Sequence, residues 1–524
     1  MRRTRLVVLV ALAPLLLTAC KDLPGPPSGT PAPTPSPSAS PSPAPTPAPT
    51  PSPTPAPSPA PTPSALPAPP APVCDGTRVR PGNDVLAVMA AGRPGQIYCL
   101  AAGVHRLSGP LSPRPGDTIQ GEPGAVLNGA VVLDGWRRSG NGWFASGFLP
   151  EPYAGKGVCE DDRANPCRLA EQVFRGGTQL RRVLSAGQLG PGRFFADYQA
   201  NRVWVGDDPA GAQLELSRTR TAIGGAASGV TVRGLVIEKF ASEAQLGAVR
   251  FSGDDWRVED NEIRFNHAAG VAAFGDRPRI LGNNVHHNGQ LGVKSDRITG
   301  ALVEGNELAF NNTDGFWTVD WEAGGFKATR SSVVVRDNFV HDNNALGVWF
   351  DIDAHDVTIE GNRIADNAAD GIRLELSFDA KVLGNEVTGN GHGLGTGRDG
   401  GTSLFYGGGI NSNSSVNVEI ARNTVTGNLN GIGLVRTNRE QGGPRVRDLR
   451  GNVVHDNVIT MRRGQTGLVE NVGDPSYFTG KGNRFTGNSY RLADPGGTFF
   501  AWTDRTSTRA QWQAAGQDRD GTFE

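Results

Sequence analysis

The sequence predicts an all-β chain dominated by a parallel β-helix, a solenoid in which each coil contains three short strands. Two observations predict it. Pairs of Asn residues five positions apart recur along the C-terminal half, and apolar residues stand at fixed offsets around them. The base spacing, as from Asn261 to Asn283 and from Asn283 to Asn306, is about 22 to 24 residues, too short for a helix pair or a propeller blade.

The Asn pairs mark the corners of the coils. One inward apolar residue, such as Ile263 or Val285, lies between the two members of each pair. We expect each Asn side chain to bond its own backbone at a corner, where Asn tolerates left-handed dihedral angles. Coils stacked ~4.8 Å apart would align like side chains into ladders. The pairs are Asn261 and Asn266, Asn283 and Asn288, Asn306 and Asn311, Asn338 and Asn343, Asn362 and Asn367, Asn385 and Asn390, Asn423 and Asn428, Asn452 and Asn457, and Asn483 and Asn488.

The N-terminus has the features of an export signal. Arg2, Arg3 and Arg5 form a basic region, and residues 6–17 form an apolar stretch too short to span a bilayer. The residues that end at Cys20 resemble a bacterial lipobox, in which the Cys is lipidated. We therefore expect a signal peptide at 1–19 and an exported protein anchored by lipid at Cys20 to the surface of a cell-envelope membrane.

The next segment, 20–72, is nearly all Pro, Ala, Ser and Thr. Such a composition cannot bury a core and favours extended polyproline II. We expect a disordered tether that holds a folded body away from the membrane.

The remaining chain divides into four parts. We expect an N-terminal cap and the first coils at 73–135, with a cap helix over 84–91 and strands over 96–100, 117–120 and 125–127. Residues 136–222 lack the Asn period and carry alternating strands at 194–197 and 202–205, which predicts a small inserted β subdomain. The β-helix repeats fill 223–505, and a cap helix over 507–515 with a Ser or Thr N-cap falls in a C-terminal cap and tail at 506–524.

Cysteine and charge counts narrow the function classes. Setting Cys20 aside leaves four Cys, which in an exported protein suggests two disulfides. Of three possible pairings, the local ones join Cys74 to Cys99 and Cys159 to Cys167; a zinc site is the rival, but no ligand spacing supports it.

The net charge of -1, from 51 basic and 52 acidic residues, gives no support for a nucleic-acid partner. We expect a monomer.

The Asn repeat resembles that of the right-handed parallel β-helix families, which include pectate-lyase-like and alginate-lyase-like enzymes, mannuronan epimerases and several glycoside hydrolases. The resemblance runs from about Cys74 to the C-terminus. It implies a single-stranded right-handed parallel β-helix and a polysaccharide partner, most simply an acidic one. The resemblance identifies the fold, but it does not identify which reaction the protein catalyses.

Outward residues of one strand per coil form the candidate site. Each such strand starts at a Gly followed by an inward apolar residue, so alternate residues point outward. Two neighbouring columns result. The first holds Lys294, Trp317, Trp349, Arg373 and Asn411, and the second holds Asp296, Asp351, Glu375 and Asn413.

Three carboxylates crowd together in this arrangement. Asp351, Asp353 and Glu375 would repel one another unless a basic group or a metal ion neutralised them. Arg373 and Ca²⁺ are the candidates, which predicts a possible calcium site formed by the three carboxylates.

Aromatic residues and two insertions would form a groove. Trp317 and Trp349 should be exposed, because they face outward on adjacent coils. An insertion over 319–329 brings Trp321, Glu322 and Lys327, and a second over 391–408 brings His392. Flat aromatic faces beside polar groups are suited to sugar binding. The candidate substrate-binding residues are therefore Trp317, Trp349, Trp321, Glu322, His392 and Asn411.

Three functions remain open. A polysaccharide lyase would use Lys294 or Lys327 as base, with Arg373 or a metal held by Asp351, Asp353 and Glu375 neutralising a uronate. A retaining glycoside hydrolase would use Asp351 and Glu375 as a carboxylate pair ~5 Å apart. A non-catalytic envelope protein would use the aromatic residues alone to bind a glycan. We favour the lyase.

Overall fold

The computed structural model describes residues 74–151, 157–159, 166–312, 314–393, 405, 407–438 and 445–524. The predicted signal peptide, the lipid anchor at Cys20 and the whole of the predicted tether lie outside the described residues, as does most of the 391–408 insertion. Within the described ranges, no helix has the length and apolar character that a membrane span requires.

Most of the described chain forms three long sheets whose strands run parallel, visited in turn by each coil. Sheet 1 contains Thr77–Val79, Ile97–Leu100, Thr118–Gly121, Thr231–Arg233, Arg257–Glu259, Arg279–Leu281, Ala301–Glu304, Val333–Arg336, His355–Glu360, Phe378–Leu383, Val416–Ala421, Val453–His455 and Arg484–Thr486. Sheet 2 contains Gly103–Arg106, Ala125–Asn128, Val236–Glu238, Glu262–Arg264, Asn284–His286, Glu307–Ala309, Phe339–His341, Arg363–Ala365, Glu386–Thr388, Thr424–Thr426, Val458–Met461, Ser489–Leu492 and Thr522–Phe523.

Sheet 3 has twelve strands and carries the candidate site. Its last two strands pair antiparallel, which closes that edge of the sheet. The strands are Ile223–Gly225, Gly247–Phe251, Ala269–Ala273, Leu291–Asp296, Gly324–Thr329, Leu346–Asp351, Ile372–Glu375, Gly408–Asn413, Asn430–Arg436, Thr466–Glu470, Phe500–Trp502 and Arg505–Ser507. The stack of three parallel sheets is a right-handed parallel β-helix, as predicted.

A separate pair of sheets lies between the early coils. The four-stranded sheet contains Thr178–Gln179, Val173–Arg175, Leu214–Ser217 and Ala130–Val132, and the five-stranded sheet contains Arg181–Val183, Arg193–Asp197, Arg202–Val205, Gly142–Ser146 and Arg137–Ser139. These sheets have their own apolar core, which includes Leu133, Phe194 and Leu216. We call this the inserted subdomain.

Short helices cap and interrupt the solenoid. Val85–Ala91 covers the N-terminal end of the core, and the Asp84 side chain caps it by accepting from the Ala87 amide. Arg509–Ala514 covers the other end with a capping box at Thr508. Val319–Glu322 and Ser476–Thr479 are single turns between coils, and Pro166–Arg168 and Ala186–Gln188 are 3₁₀ turns.

The Asn ladder holds the coils in register. Each Asn amide donates to the side-chain oxygen of the Asn one coil further on, as from Asn261 to Asn283 at 3.0 Å, and to a carbonyl of the preceding coil, as from Asn283 to Val258 at 2.8 Å. These side chains are almost fully buried. The ladder therefore satisfies backbone groups at corners where no strand pairing exists.

Two details of the predicted ladder are wrong. In the last two repeats the ladder continues through Asn457 and Asn488, so Asn452 and Asn483 stack on each other at a different corner. The left-handed residue at a corner is also the one before each Asn rather than the Asn itself, as at Asp260 with φ 55°. None of the ladder Asn residues themselves has a positive φ.

Both predicted disulfides are present. Cys74 bonds to Cys99 at the start of the solenoid, and Cys159 bonds to Cys167 in the loop that joins the two sheets of the inserted subdomain. All apolar coil positions converge on one continuous core that runs from Val79 to Trp512.

Candidate functional site

Five side chains on consecutive strands of sheet 3 form one row on its outer surface. Strand register pairs Lys294 with Lys327, Lys327 with Trp349, Trp349 with Arg373, and Arg373 with Asn411. Their strand neighbours, such as Val293 and Phe326, lie in the core, so the five point away from it. We call these five residues the outward row.

The row differs from its predicted composition at one position. Lys327 stands where Trp317 was expected, because the strand after Asn311 begins at Gly324 and not at Gly315. Residues 312–323 form an insertion at the second corner, the corner between sheets 2 and 3. Trp317 lies in this insertion.

The outward row is covered. Lys294, Lys327, Trp349, Arg373 and Asn411 are each 5% exposed or less. The Val319–Glu322 turn, which we call the covering turn, places the Glu322 carboxylate against both Lys ammonium groups, in contact with Lys294 and 3.8 Å from Lys327. Buried charges of this kind need ion pairs, because desolvation of an isolated charge is costly.

The two Lys residues differ in their electrostatic surroundings. Burial lowers the pKa of Lys294; the Glu322 carboxylate opposes that shift, and the Lys327 charge adds to it. Lys327 donates to Asp351 at 3.0 Å, and its ammonium lies 3.2 Å from the centre of the Trp349 ring. The Trp349 ring therefore carries a cation on its face.

Arg373 is held by a residue that sequence reasoning missed. Asp370 is fully buried, accepts from the Arg373 guanidinium at 2.6 Å and accepts from the Gly408 amide at 2.7 Å. Asp370 therefore ties Arg373 to the next coil. It was missed because it lies at a corner, where Asp is an ordinary turn residue.

The expectation that Trp317 and Trp349 are exposed is wrong. They are 1% and 2% exposed and belong to an apolar cluster with the Cys159–Cys167 disulfide. Trp321, which is partly buried, stacks on Trp317 at 5.9 Å. The two Cys residues, distant in sequence from these rings, help to cover them, and Cys159 forms a strand bridge with Trp317.

The predicted carboxylates follow the outward row, and cations engage Asp351 and Asp353. Asp351 and Glu375 come directly after the register pair of Phe350 and Leu374, so they are neighbours on adjacent strands. Asp351 binds Lys327, and Asp353 lies 3.6 Å from Arg447, a second residue that sequence reasoning missed.

These carboxylates do not form a metal-binding cluster. Among the described residues, no group of three or more His, Cys, Asp or Glu side chains could hold a metal ion. The three predicted carboxylates as they stand therefore do not fit Ca²⁺.

His392 lies away from the outward row. Its ring contacts the Gly427 carbonyl at 2.9 Å and the Arg463 guanidinium at 2.9 Å. Asn411 lies at the end of the row, and its amide donates to the Phe405 carbonyl at 3.3 Å. The structure thus brings together Lys294, Lys327, Trp349, Arg373, Asn411, Glu322, Asp351 and Glu375, while Trp317 and Trp321 cover them.

The chemistry available at the outward row is proton transfer and anion binding. Two Lys and one Arg face a carboxylate cover in a desolvated setting, which is where ionisable groups acquire perturbed pKa values. The outer surface of a β-helix is otherwise solvated, so a buried charged row on it is a candidate active site.

Comparison with known proteins supports the fold. Residues 247–405 match a family model described as a right-handed β-helix region. No curated protein matches the chain by sequence. A solved structure of XylC with xylose is similar, at 12% identity and a TM-score of 0.56, over 84% of this chain and 82% of that one.

Two further solved structures are less similar. The A-module of the mannuronan C-5 epimerase AlgE4 from Azotobacter vinelandii has 14% identity and a TM-score of 0.42, over 77% of this chain and 98% of that one. A double mutant of the periplasmic alginate epimerase AlgG has 12% identity and a TM-score of 0.38, over 75% of this chain and 81% of that one.

Proposed function

We propose that this protein is an exported, lipid-anchored cell-envelope enzyme that cleaves a uronate-containing polysaccharide by β-elimination. The observation that carries the proposal is the pairing of Lys294 with Lys327 on adjacent coils, both buried on an outer surface and facing carboxylates. A sugar ligand on this scaffold is in keeping with XylC, which shares the fold and was solved with xylose.

Lys294 is the proposed base. Because burial lowers its pKa, a larger fraction of its amine is neutral near pH 7 than for an exposed Lys. The neutral amine takes the proton from C5 of the uronate, the C4–C5 double bond forms and the bond from C4 to the leaving oxygen breaks. The ammonium formed on Lys294 then returns a proton to that oxygen, so no external acid is needed.

Lys327 and Arg373 are the proposed anion-binding groups. The negative charge that builds up on the uronate carboxylate as C5 loses its proton needs nearby cations, and these two flank the Trp349 ring on either side, at 3.2 Å and 5.5 Å from its centre. Asp370 fixes the orientation of Arg373.

Substrate access requires the covering turn to move. Glu322 lies against both Lys294 and Lys327, so it occupies the space that the substrate would need. A substrate carboxylate can replace the Glu322 carboxylate beside Lys327, which keeps that ammonium neutralised, while Lys294 loses its carboxylate partner and can act as the neutral base. No step is assigned to Ca²⁺.

The β-elimination proposal is favoured over hydrolysis by the contacts of Asp351. A retaining hydrolase needs one of two carboxylates to attack the sugar. Asp351 is instead bound to Lys327 at 3.0 Å and accepts from the Ile352 amide at 2.7 Å.

The experiment is an ultraviolet assay of the full-length chain on polygalacturonate, alginate and other uronate polysaccharides. Elimination creates an unsaturated, absorbing product, and hydrolysis does not. We expect a rise in absorbance that persists with chelator. Release of reducing ends without absorbance would show a hydrolase, and binding without any product would show a glycan-binding protein.

The anchor is tested separately. We expect labelled fatty acid to be incorporated into the full-length chain and the protein to be found with membranes. Cys20→Ser should abolish both. Labelling that survives this change would place the lipid elsewhere or exclude it.

A further inference from the structure

Three successive coils carry an aromatic residue at the left-handed position of the second corner. Phe265, His287 and Phe310 have φ values of 54°, 52° and 52°. Backbone crowding makes this region unfavourable for bulky side chains, while Gly, Asn and Asp tolerate it. The next four coils use the tolerant residues at this position: Asp342, Asp366, Gly389 and Gly427.

The three rings form a stepped apolar surface, which we call the aromatic ladder. The ring centres of Phe265 and His287 are 5.4 Å apart, and those of His287 and Phe310 are 5.0 Å apart. Phe310 is 41% exposed. The rings therefore rise with the coils at ~4.8 Å per step, close to the length of one sugar unit in an extended chain.

The middle ring of the ladder is uncharged at neutral pH. Burial lowers the pKa of His287, and the charges of His286 and Arg264 lower it further. His287 and Phe310 stack on each other with their ring planes 28° apart, and the Arg264 guanidinium lies 5.6 Å from the Phe265 ring centre. The exposed parts of these rings form an apolar surface, which suits contact with the C–H groups of a pyranose.

Two residues of the aromatic ladder, Phe265 and His287, line one side of a cleft, and the Phe310 ring continues from His287 on the next coil. The cleft has a volume of about 920 Å³ and lies between the ladder and the inserted subdomain, whose side contributes Arg181 and Arg193. Both Arg side chains are exposed. Asp314 also lines the cleft, accepts from the Gln179 amide at 2.9 and 3.0 Å, and has its pKa raised by burial. The cleft is therefore positive overall.

We propose that this cleft binds an acidic oligosaccharide, with its apolar C–H groups against Phe265 and His287, its carboxylates on Arg181 and Arg193, and its chain extending from the cleft onto Phe310. The choice of an acidic glycan rests in part on the proposed function, while the strained ladder and the charge of the cleft are independent of it. The cleft is lined by Asp314, Gly315 and Phe316 of the insertion and by no residue of the outward row, so it would hold a different part of a long chain.

Binding is tested with the full-length chain by calorimetric titration with oligogalacturonate and with alginate oligosaccharides. Phe310→Ala should weaken binding about three- to tenfold, and Arg181→Ala with Arg193→Ala should weaken it at least as much. Val104→Ala removes an exposed apolar side chain on sheet 2 outside the cleft and should have no effect.

A second variant distinguishes a role of Phe310 in ligand binding from a role in the stability of the fold. Phe310→Asn places a residue that tolerates positive φ at this corner, so the melting temperature should rise by roughly 1 to 3 °C while binding weakens. A merely structural Phe310 would show the opposite, a lower melting temperature with unchanged affinity.

The outcomes are distinct from those of the elimination assay. Lys294→Met should keep the cleft-dependent binding, and binding lost in Phe310→Ala would support the cleft even if no elimination product formed. The proposal would be overturned if neither oligosaccharide bound the unmodified chain, or if Phe310→Ala and the double Arg variant both bound the oligosaccharides as tightly as the unmodified chain does.

Discussion

Lys294 and Lys327 are register partners on adjacent strands of sheet 3, and one carboxylate, that of Glu322, contacts both. Two like charges one coil apart in a buried row repel each other, which is among the causes of the lowered Lys294 pKa. A carboxylate supplied by a separate turn relieves this repulsion. That arrangement leads to the first two predictions.

Removing either amine should stop elimination. We expect Lys294→Met to lower kcat at least ~10³-fold, because it removes the base, and Lys327→Met to act through both KM and kcat, because it removes a cation for the carboxylate. The initial rate of absorbance increase measures both. Lys381→Met, on the solvent-exposed side of sheet 1, is the control and should leave the rate unchanged. Full activity in Lys294→Met would rule out its role as base.

Lys294 should also affect how stability depends on pH. Folding lowers its pKa below the ordinary value of about 10.5, so between the two values the unfolded chain binds more protons than the folded one. The contribution of Lys294 to the free energy of unfolding therefore rises with pH across that range. We expect the free energy of unfolding of the unmodified chain, relative to Lys294→Met, to increase as the pH rises toward the ordinary Lys pKa. A flat difference in denaturant titrations would contradict this.

The Asp370–Arg373 pair should be important for stability. Asp370→Asn removes a buried negative charge beside the Arg373 guanidinium, and we expect a loss of about 3 to 5 kcal/mol. Adding Arg373→Met should recover part of this lost stability, because neither charge of the pair is then left buried. Chemical denaturation measures both. The exposed pair of Asp379 with Arg445 is the control, and Asp379→Asn should cost no more than about 1 kcal/mol.

Replacing one Asn of the ladder should lower the free energy of unfolding. Asn306 is 1% exposed, donates to the Ile280 carbonyl and the Asn338 side chain at 2.9 Å each, and accepts from Asn283. Asn306→Ala leaves those buried groups without a partner, so we expect a loss of about 3 kcal/mol in thermal or denaturant unfolding. Asn141→Ala, at an exposed turn, should change stability by less than about 0.5 kcal/mol.

The sequence by itself determined the fold. The spacing of Asn and apolar residues is a local property of the sequence. Coils of about 22 residues can bury their apolar side chains by stacking into a parallel β-helix. The same local information predicted the end caps and the two disulfides within a few residues. It also predicted Lys294, Arg373 and Asn411 in one row, because alternation along a strand follows from its geometry.

Only the tertiary structure decided what covers that row. The 312–323 insertion contains one possible strand start, Gly315, and Gly324 directly after it is another; local pattern does not distinguish them, so Trp317 was expected in place of Lys327. The burial of Trp349 depends on a cluster that includes Cys159 and Cys167, and the partner of Asp353 is Arg447, nearly a hundred positions away. Contacts between segments so far apart depend on how the loops fold over the solenoid. The repeat pattern of the sequence carries no information about those loops.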